Sequence, residues 1–142
     1  MSDSTTVFVP PFTITAVSTQ GGVAYPTYVD ANNVTVPPGL SPIPVTQGCT
    51  AAGFTFTRQT ALRLVGGAVK TIGNDPTMMN YNFLDATTTG SGSSTKDTVT
   101  VPWDAGVEST RGLVLLFAQT DAQGNMLGFV PTTDPTIKNN GV

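Results

Sequence analysis

The 142-residue sequence contains no histidine, one cysteine, one tryptophan and, among nine acids, a single glutamate. Each scarcity closes off a kind of chemistry. Without histidine the usual general base near neutral pH is missing, and with it the Ser-His-Asp triad and most zinc sites. Cys49 has no second thiol to pair with and no histidine to activate it, and its nearest cation along the chain is Arg58, so it reads as a small buried residue. Charged residues make up 11 % of the chain, less than half of the ~25 % of an average soluble domain. Six basic residues, spread singly, form no electrostatic footprint for nucleic acid. No apolar run approaches the roughly 18 residues of a helical bilayer span, so no membrane partner is expected.

Threonine, valine, glycine, proline, serine and asparagine fill the space that charge leaves. Threonine and valine favour pleated strands, and disorder calls for high charge and few β-branched residues, so the chain is expected to fold as one domain over residues 1–142. Short strand patterns fall at residues 12–17, 23–29 (despite Pro26), 34–36, 53–57, 61–65, 68–72, 98–103, 113–119 and 126–130. Gln20-Gly21-Gly22 and Asn32-Asn33 read as turns, and Gly66-Gly67 reads as the two-residue loop of a hairpin, with Leu62 and Leu64 on one face and Arg63 on the other. Residues 78–84 fit a strand or a short helical turn. "TTTGSGSSTKD", residues 87–97, reads as a flexible exposed loop. This spacing predicts an all-β, single-domain antiparallel β-sandwich, jelly-roll or Ig-like, of eight to nine short strands.

Two proline-bearing segments stand apart. Residues 1–12, with Pro10-Pro11, are expected to form an extended N-terminal arm, and "VPPGLSPIPV", residues 36–45, an extended polyproline-II loop. Preformed arms lose little entropy on docking. Val7, Phe8, Val9, Pro10, Pro11, Phe12, Val36, Pro37, Pro38, Leu40, Pro42, Ile43 and Pro44 are therefore the expected interface residues. The run "LVLLFA", residues 113–118, adds a second argument. Its alternation fails, so it asks for cover on both faces, from the chain's own arm or from another subunit.

The local motifs carry no reaction. Ser93-Ser94-Thr95-Lys96 matches S-x-x-K but lies in a Gly/Ser segment without the further motifs that chemistry needs. Gly90-Ser91-Gly92 is too short for a phosphate loop. Asp121-Ala122-Gln123-Gly124-Asn125 reads as a turn, lacking the alternating acids of a calcium loop. No catalytic residue, cofactor or metal is expected, and the chain is read as not an enzyme. Trp103 and Tyr81 are the candidate platform for a glycan, which keeps a secreted carbohydrate-binding module as the alternative.

In composition and layout the chain resembles small virion proteins of tailed bacteriophages: head decoration, cement and minor tail proteins. The resemblance implies a structural subunit located in the virion, assembling with itself as a homo-oligomer and with a major capsid or tail protein. A second, shorter resemblance covers residues 113–137. "LVLLFAQTDAQGNMLGFVPTTDPTI" is similar to the closing hairpin of the PixA/AidA inclusion-body family at Gly128-Phe129, Asp134, Pro135 and Ile137, with Thr132-Thr133 where that family has aromatic residues. It implies a β-sandwich and an intracellular inclusion protein as a further alternative.

Overall fold

The computed structural model describes residues 7–37, 43–46, 51–59, 61–72, 81–102, 109–132 and 136–139. Within them are eleven strands and no α-helix: β1 (Phe12–Gln20), β2 (Val23–Val29), β3 (Ile43–Pro44), β4 (Ala51–Thr57), β5 (Leu62–Ile72), β6 (Tyr81–Asp85), β7 (Thr87–Thr89), β8 (Lys96–Pro102), β9 (Ser109–Thr120), β10 (Met126–Pro131) and β11 (Thr136–Asn139). They form the expected sandwich with more strands than the eight to nine anticipated. The first sheet runs β2-β1-β4-β8-β7. The second runs β3-β11-β9-β5-β6, with β10 following β11 along the same edge of β9. Most pairings are antiparallel; β1 with β4 and β11 with β3 are parallel.

Alternation explains the core. Phe12 and Ile14 of β1, Ala52, Phe54 and Phe56 of β4, and Val99 and Val101 of β8 point inward from the first sheet. Leu62 and Leu64 of β5, Leu113, Leu115 and Phe117 of β9, and Val130 of β10 meet them from the second, all buried. Phe12 and Phe54, partners in the parallel register, stack with ring centroids 5.1 Å apart. Phe56 and Phe117 meet edge to face across the sandwich at 5.2 Å. One edge is clasped by Thr132, which bridges to Ala24 of β2 while its Oγ1 accepts the Leu115 N–H at 2.9 Å.

Three expectations are corrected. Gly66-Gly67 is not a hairpin loop: β5 runs through both glycines as one strand, while the two-residue turn with positive φ is Gly21-Gly22, between β1 and β2. Gly66 is needed because a Cβ there would lie 2.5 Å from the Leu84 carbonyl oxygen and 2.7 Å from the Phe83 ring. Residues 87–97 are not a flexible loop. They hold β7, a 3-10 turn at Gly92–Ser94 and the start of β8, locked by the wholly buried carboxylate of Asp97. Arg58 donates to it through Nε and Nη2, both at 2.9 Å, and Thr88 Oγ1 at 2.8 Å. These bonds to Asp97 hold the Arg58 guanidinium above its ordinary pKa.

The third correction concerns the described parts of the two arms, residues 7–12, 36–37 and 43–45, which fold onto their own domain. The Phe8 N–H donates to the Pro44 carbonyl at 2.9 Å and the Thr46 N–H to the Phe8 carbonyl at 2.8 Å, so the two proline-bearing segments pair with each other. Asp30 holds the first of them by accepting the N–H groups of Val9, Asn32 and Val34. Burial alone would raise its carboxyl pKa; the bonds from Val34, Val9 and Asn32 outweigh that and hold it below the ordinary range.

Candidate interaction face

Both sheets have an outer face, and in each the register places neighbouring side chains in rows. On the first sheet one row crosses four strands as Thr13, Thr55, Thr98 and Thr87. Thr55 and Thr98 share a hydroxyl–hydroxyl hydrogen bond of 2.9 Å. Thr57, Lys96 and Thr89 form the next row, and Gly53 lies beside Thr100. Across these four strands the face is polar, as a solvated sheet face is expected to be; on β2, at the edge, Val29 continues the Thr13 row half-buried and Tyr25 is 46 % exposed.

On the second sheet the rows read differently. Phe83, Ala68 and Val114 make one; Asp85, Gly66, Leu116 and Pro131 the next; Arg63, Ala118 and Phe129 a third; and Met126 stands beside Thr120 in a fourth. Phe83 is 55 % exposed, Phe129 59 % and Met126 51 %, and Leu127, at the irregularity in β10, is 68 %. The Phe83 ring leans over Gly66, covering bare backbone without being covered itself. Val114 and Leu116 are half-buried, while Leu113, Leu115 and Phe117 on the other side of β9 are wholly buried. The failed alternation of residues 113–118 thus corresponds to one face in the core and one apolar face open between two exposed aromatic rings.

Two polar groups interrupt it. Asp85 is exposed. Arg63 is half-buried, and its Nε is buried with no hydrogen-bond partner among the described residues. An unanswered donor of this kind costs about 1–3 kcal/mol, more when charged.

The residues expected to dock divide into three groups. Phe8, Phe12, Val36 and Ile43 lie in the chain's own core, each at most 5 % exposed, so their side chains are not offered to a neighbour. Val7, Pro11 and Pro37 are exposed, while Val9, Pro10 and Pro44 are half-buried. Pro38, Leu40 and Pro42 lie outside the described residues, as do Trp103 and the side chain of Tyr81, the candidate glycan platform. Phe83, Met126, Phe129, Arg63 and Asp85 were not singled out from sequence as site residues. The signal for them was present in residues 113–118, but reading Gly66-Gly67 as a turn split the strand that joins them into one surface.

Elsewhere the chemistry is already engaged. An open cleft of about 290 Å³ lies at one end of the sandwich, lined in part by Arg58, Arg63, Thr95, Thr120 and Asp121. Arg58 is committed to Asp97. The Asp121 carboxylate accepts the N–H groups of Asn125 and Gln123 of its own turn, and these hold its pKa below the ordinary range. No group of three or more Cys, Asp or Glu side chains suited to a metal occurs among the described residues. The Tyr28 hydroxyl is buried without a partner among those residues, and burial pushes its pKa up.

Comparison of the chain with protein-family models and with curated proteins finds no match. The short likeness of residues 113–137 to the inclusion-body family is therefore not accompanied by a family match.

Proposed function

We propose that this chain is a non-enzymatic structural protein of a virion, a bacteriophage capsid decoration, cement or minor tail protein, that stabilises a particle by burying surface between subunits. Its partners on this reading are copies of itself and a major capsid or tail protein. One observation carries the interaction role: within one low-charge chain, four strands of one sheet present mainly threonine to solvent, and four strands of the other present Phe83, Leu116, Phe129 and Met126. A solvated face has no use for that composition, and open apolar surface of this kind marks contact sites. The virion assignment rests on the resemblance in composition and layout. On this reading the sheet face joins the exposed arm residues Val7, Pro11 and Pro37 as working surface, while Phe8 and Phe12 are spent inside the fold.

The test is sedimentation of particles from the source cells through a density gradient, with the chain quantified in each fraction by mass spectrometry. A constant ratio of chain to major particle protein across the particle band is expected. A chain that stays at the top of the gradient in every preparation overturns the virion role.

A further inference from the structure

We propose that the outer face of the second sheet pairs with the same face of a second copy about a two-fold axis, Arg63 of each copy meeting Asp85 of the other. This rests on reading the chain as an interaction protein and adds the partner and its register.

A two-fold interface must be complementary to itself: where residue i meets j, j meets i. Such a face needs its charges in opposite pairs off the axis and apolar groups near it. Among the described side chains in the four rows there is one base, Arg63, and one acid, Asp85. They stand in adjacent rows on neighbouring strands and do not pair within the chain, where the ion pair among the described residues is Arg58 with Asp97. Arg63 is a half-buried cation and Asp85 an exposed carboxylate, neither with an oppositely charged partner among the described residues, so each has what the other lacks.

The geometry of the sheet tests the pairing further. Strands lie about 4.8 Å apart and successive same-face residues about 6.8 Å apart. On that grid, the in-plane two-fold that sets Arg63 opposite the partner's Asp85 also places Phe83 opposite the partner's Phe129, with a lateral offset of about 4 Å in the sheet plane. It places Leu116 opposite the partner's Leu116, with a lateral offset of about 3 Å. The two charges alone fix this axis, and it sets ring opposite ring and the apolar centre opposite itself. The twelve positions of these rows make a face of about 400 Å², below the roughly 800 Å² per partner of a standard interface. The expected dimer is accordingly reversible.

Sedimentation velocity of the full chain across a concentration series tests this. The wild type is expected to shift from monomer to dimer with a midpoint on the order of 10–100 μM. Arg63→Glu and Asp85→Arg should each weaken self-association at least about tenfold, by placing like charges opposite one another. An equimolar mixture of the two should regain the wild-type midpoint, because each variant then faces its complement. Phe83→Lys and Phe129→Asp, at exposed positions, repeat the mixing design if Arg63→Glu does not fold.

A wild type that stays monomeric throughout the series overturns the proposal. So do folded single variants that dimerise as wild type, or variants that stay monomeric when mixed, as an Arg63–Asp85 contact within one chain would leave them. A chain that is monomeric but bands with particles overturns the dimer alone. A dimer that never bands with particles overturns the virion role alone.

Discussion

The two outer faces of the sandwich differ although they belong to one chain of one composition. Across β1, β4, β8 and β7 the chain sets threonine beside threonine, joined where Thr55 and Thr98 share a hydrogen bond. Across β6, β5, β9 and β10 it sets Phe83, Ala68, Val114, Leu116, Ala118 and Phe129. Low charge therefore does not explain the apolar face, because the threonine face is equally poor in charge and remains polar. The difference lies in where β-branched hydroxyls were placed, and it separates a surface kept in water from one able to leave it.

The largest expected effect contrasts the two arginines near the sheet margins. Arg58→Ala strips the wholly buried Asp97 of its cation and should cost about 2–4 kcal/mol, seen as a lower denaturant midpoint. Arg63→Ala relieves a donor that has no partner among the described residues but loses the packing of its half-buried stem; the two offset, and monomer stability should change by less than about 1 kcal/mol. Equal losses at the two positions would erase the distinction between a structural and an available arginine.

Next come the two outward glycines. Gly66→Ala forces a Cβ against the Leu84 carbonyl and the Phe83 ring and should cost about 2–3 kcal/mol, because the backbone oxygen cannot step aside. Gly53→Ala on the threonine face meets the Pro11 Cβ at 3.6 Å, an ordinary contact, and should be neutral within about 0.5 kcal/mol in thermal melts.

A third pair compares the faces directly. Phe129→Ser should abolish self-association while moving monomer stability by under about 1 kcal/mol, since the ring is 59 % exposed. Thr100→Ser on the other face should leave association unchanged. Loss of association from Thr100→Ser would point to the wrong sheet.

The smallest effect is a pH dependence. Asp30's folded pKa is lowered, so its contribution is fully present above the unfolded carboxylate value of about 3.9 and is lost as pH falls through the folded value. Melting temperature should therefore fall between about pH 4 and pH 2, and Asp30→Asn, less stable at neutral pH, should show a shallower fall. An unchanged slope in Asp30→Asn would mean other carboxylates carry the acid sensitivity.

Much of the architecture could be read from residue patterns, and the exceptions share a cause. Gly21-Gly22 turns because the strands on either side pair with each other. Gly66-Gly67 has the same local appearance and does not turn, because β9 and β6 flank it and Phe83 needs the room. Periodicity within residues 87–97 cannot reveal that Arg58, 39 positions from Asp97, will anchor them. The prolines of the first arm exclude ladder donors but say nothing of Phe8 meeting Val45 or Phe12 meeting Phe54, both parallel pairings formed across long separations. The apolar face was partly visible in residues 113–118, which demanded a second cover; its aromatic rims on β6 and β10 became a single surface only through register.

The parallel seat of β1 has a consequence for how the chain matures. The β1–β2 hairpin, closed by its glycine turn, can form as soon as it leaves the ribosome, yet its free edge must wait for residues 54–56 to arrive. Phe8 waits likewise for residues 44–46. Until then the first-made strand carries Phe12 and Ile14 uncovered beside unpaired backbone, the arrangement that invites chains on one message to stick to each other. Thr13 and Thr15, alternating with those apolar side chains, supply the polar groups of that edge during the interval.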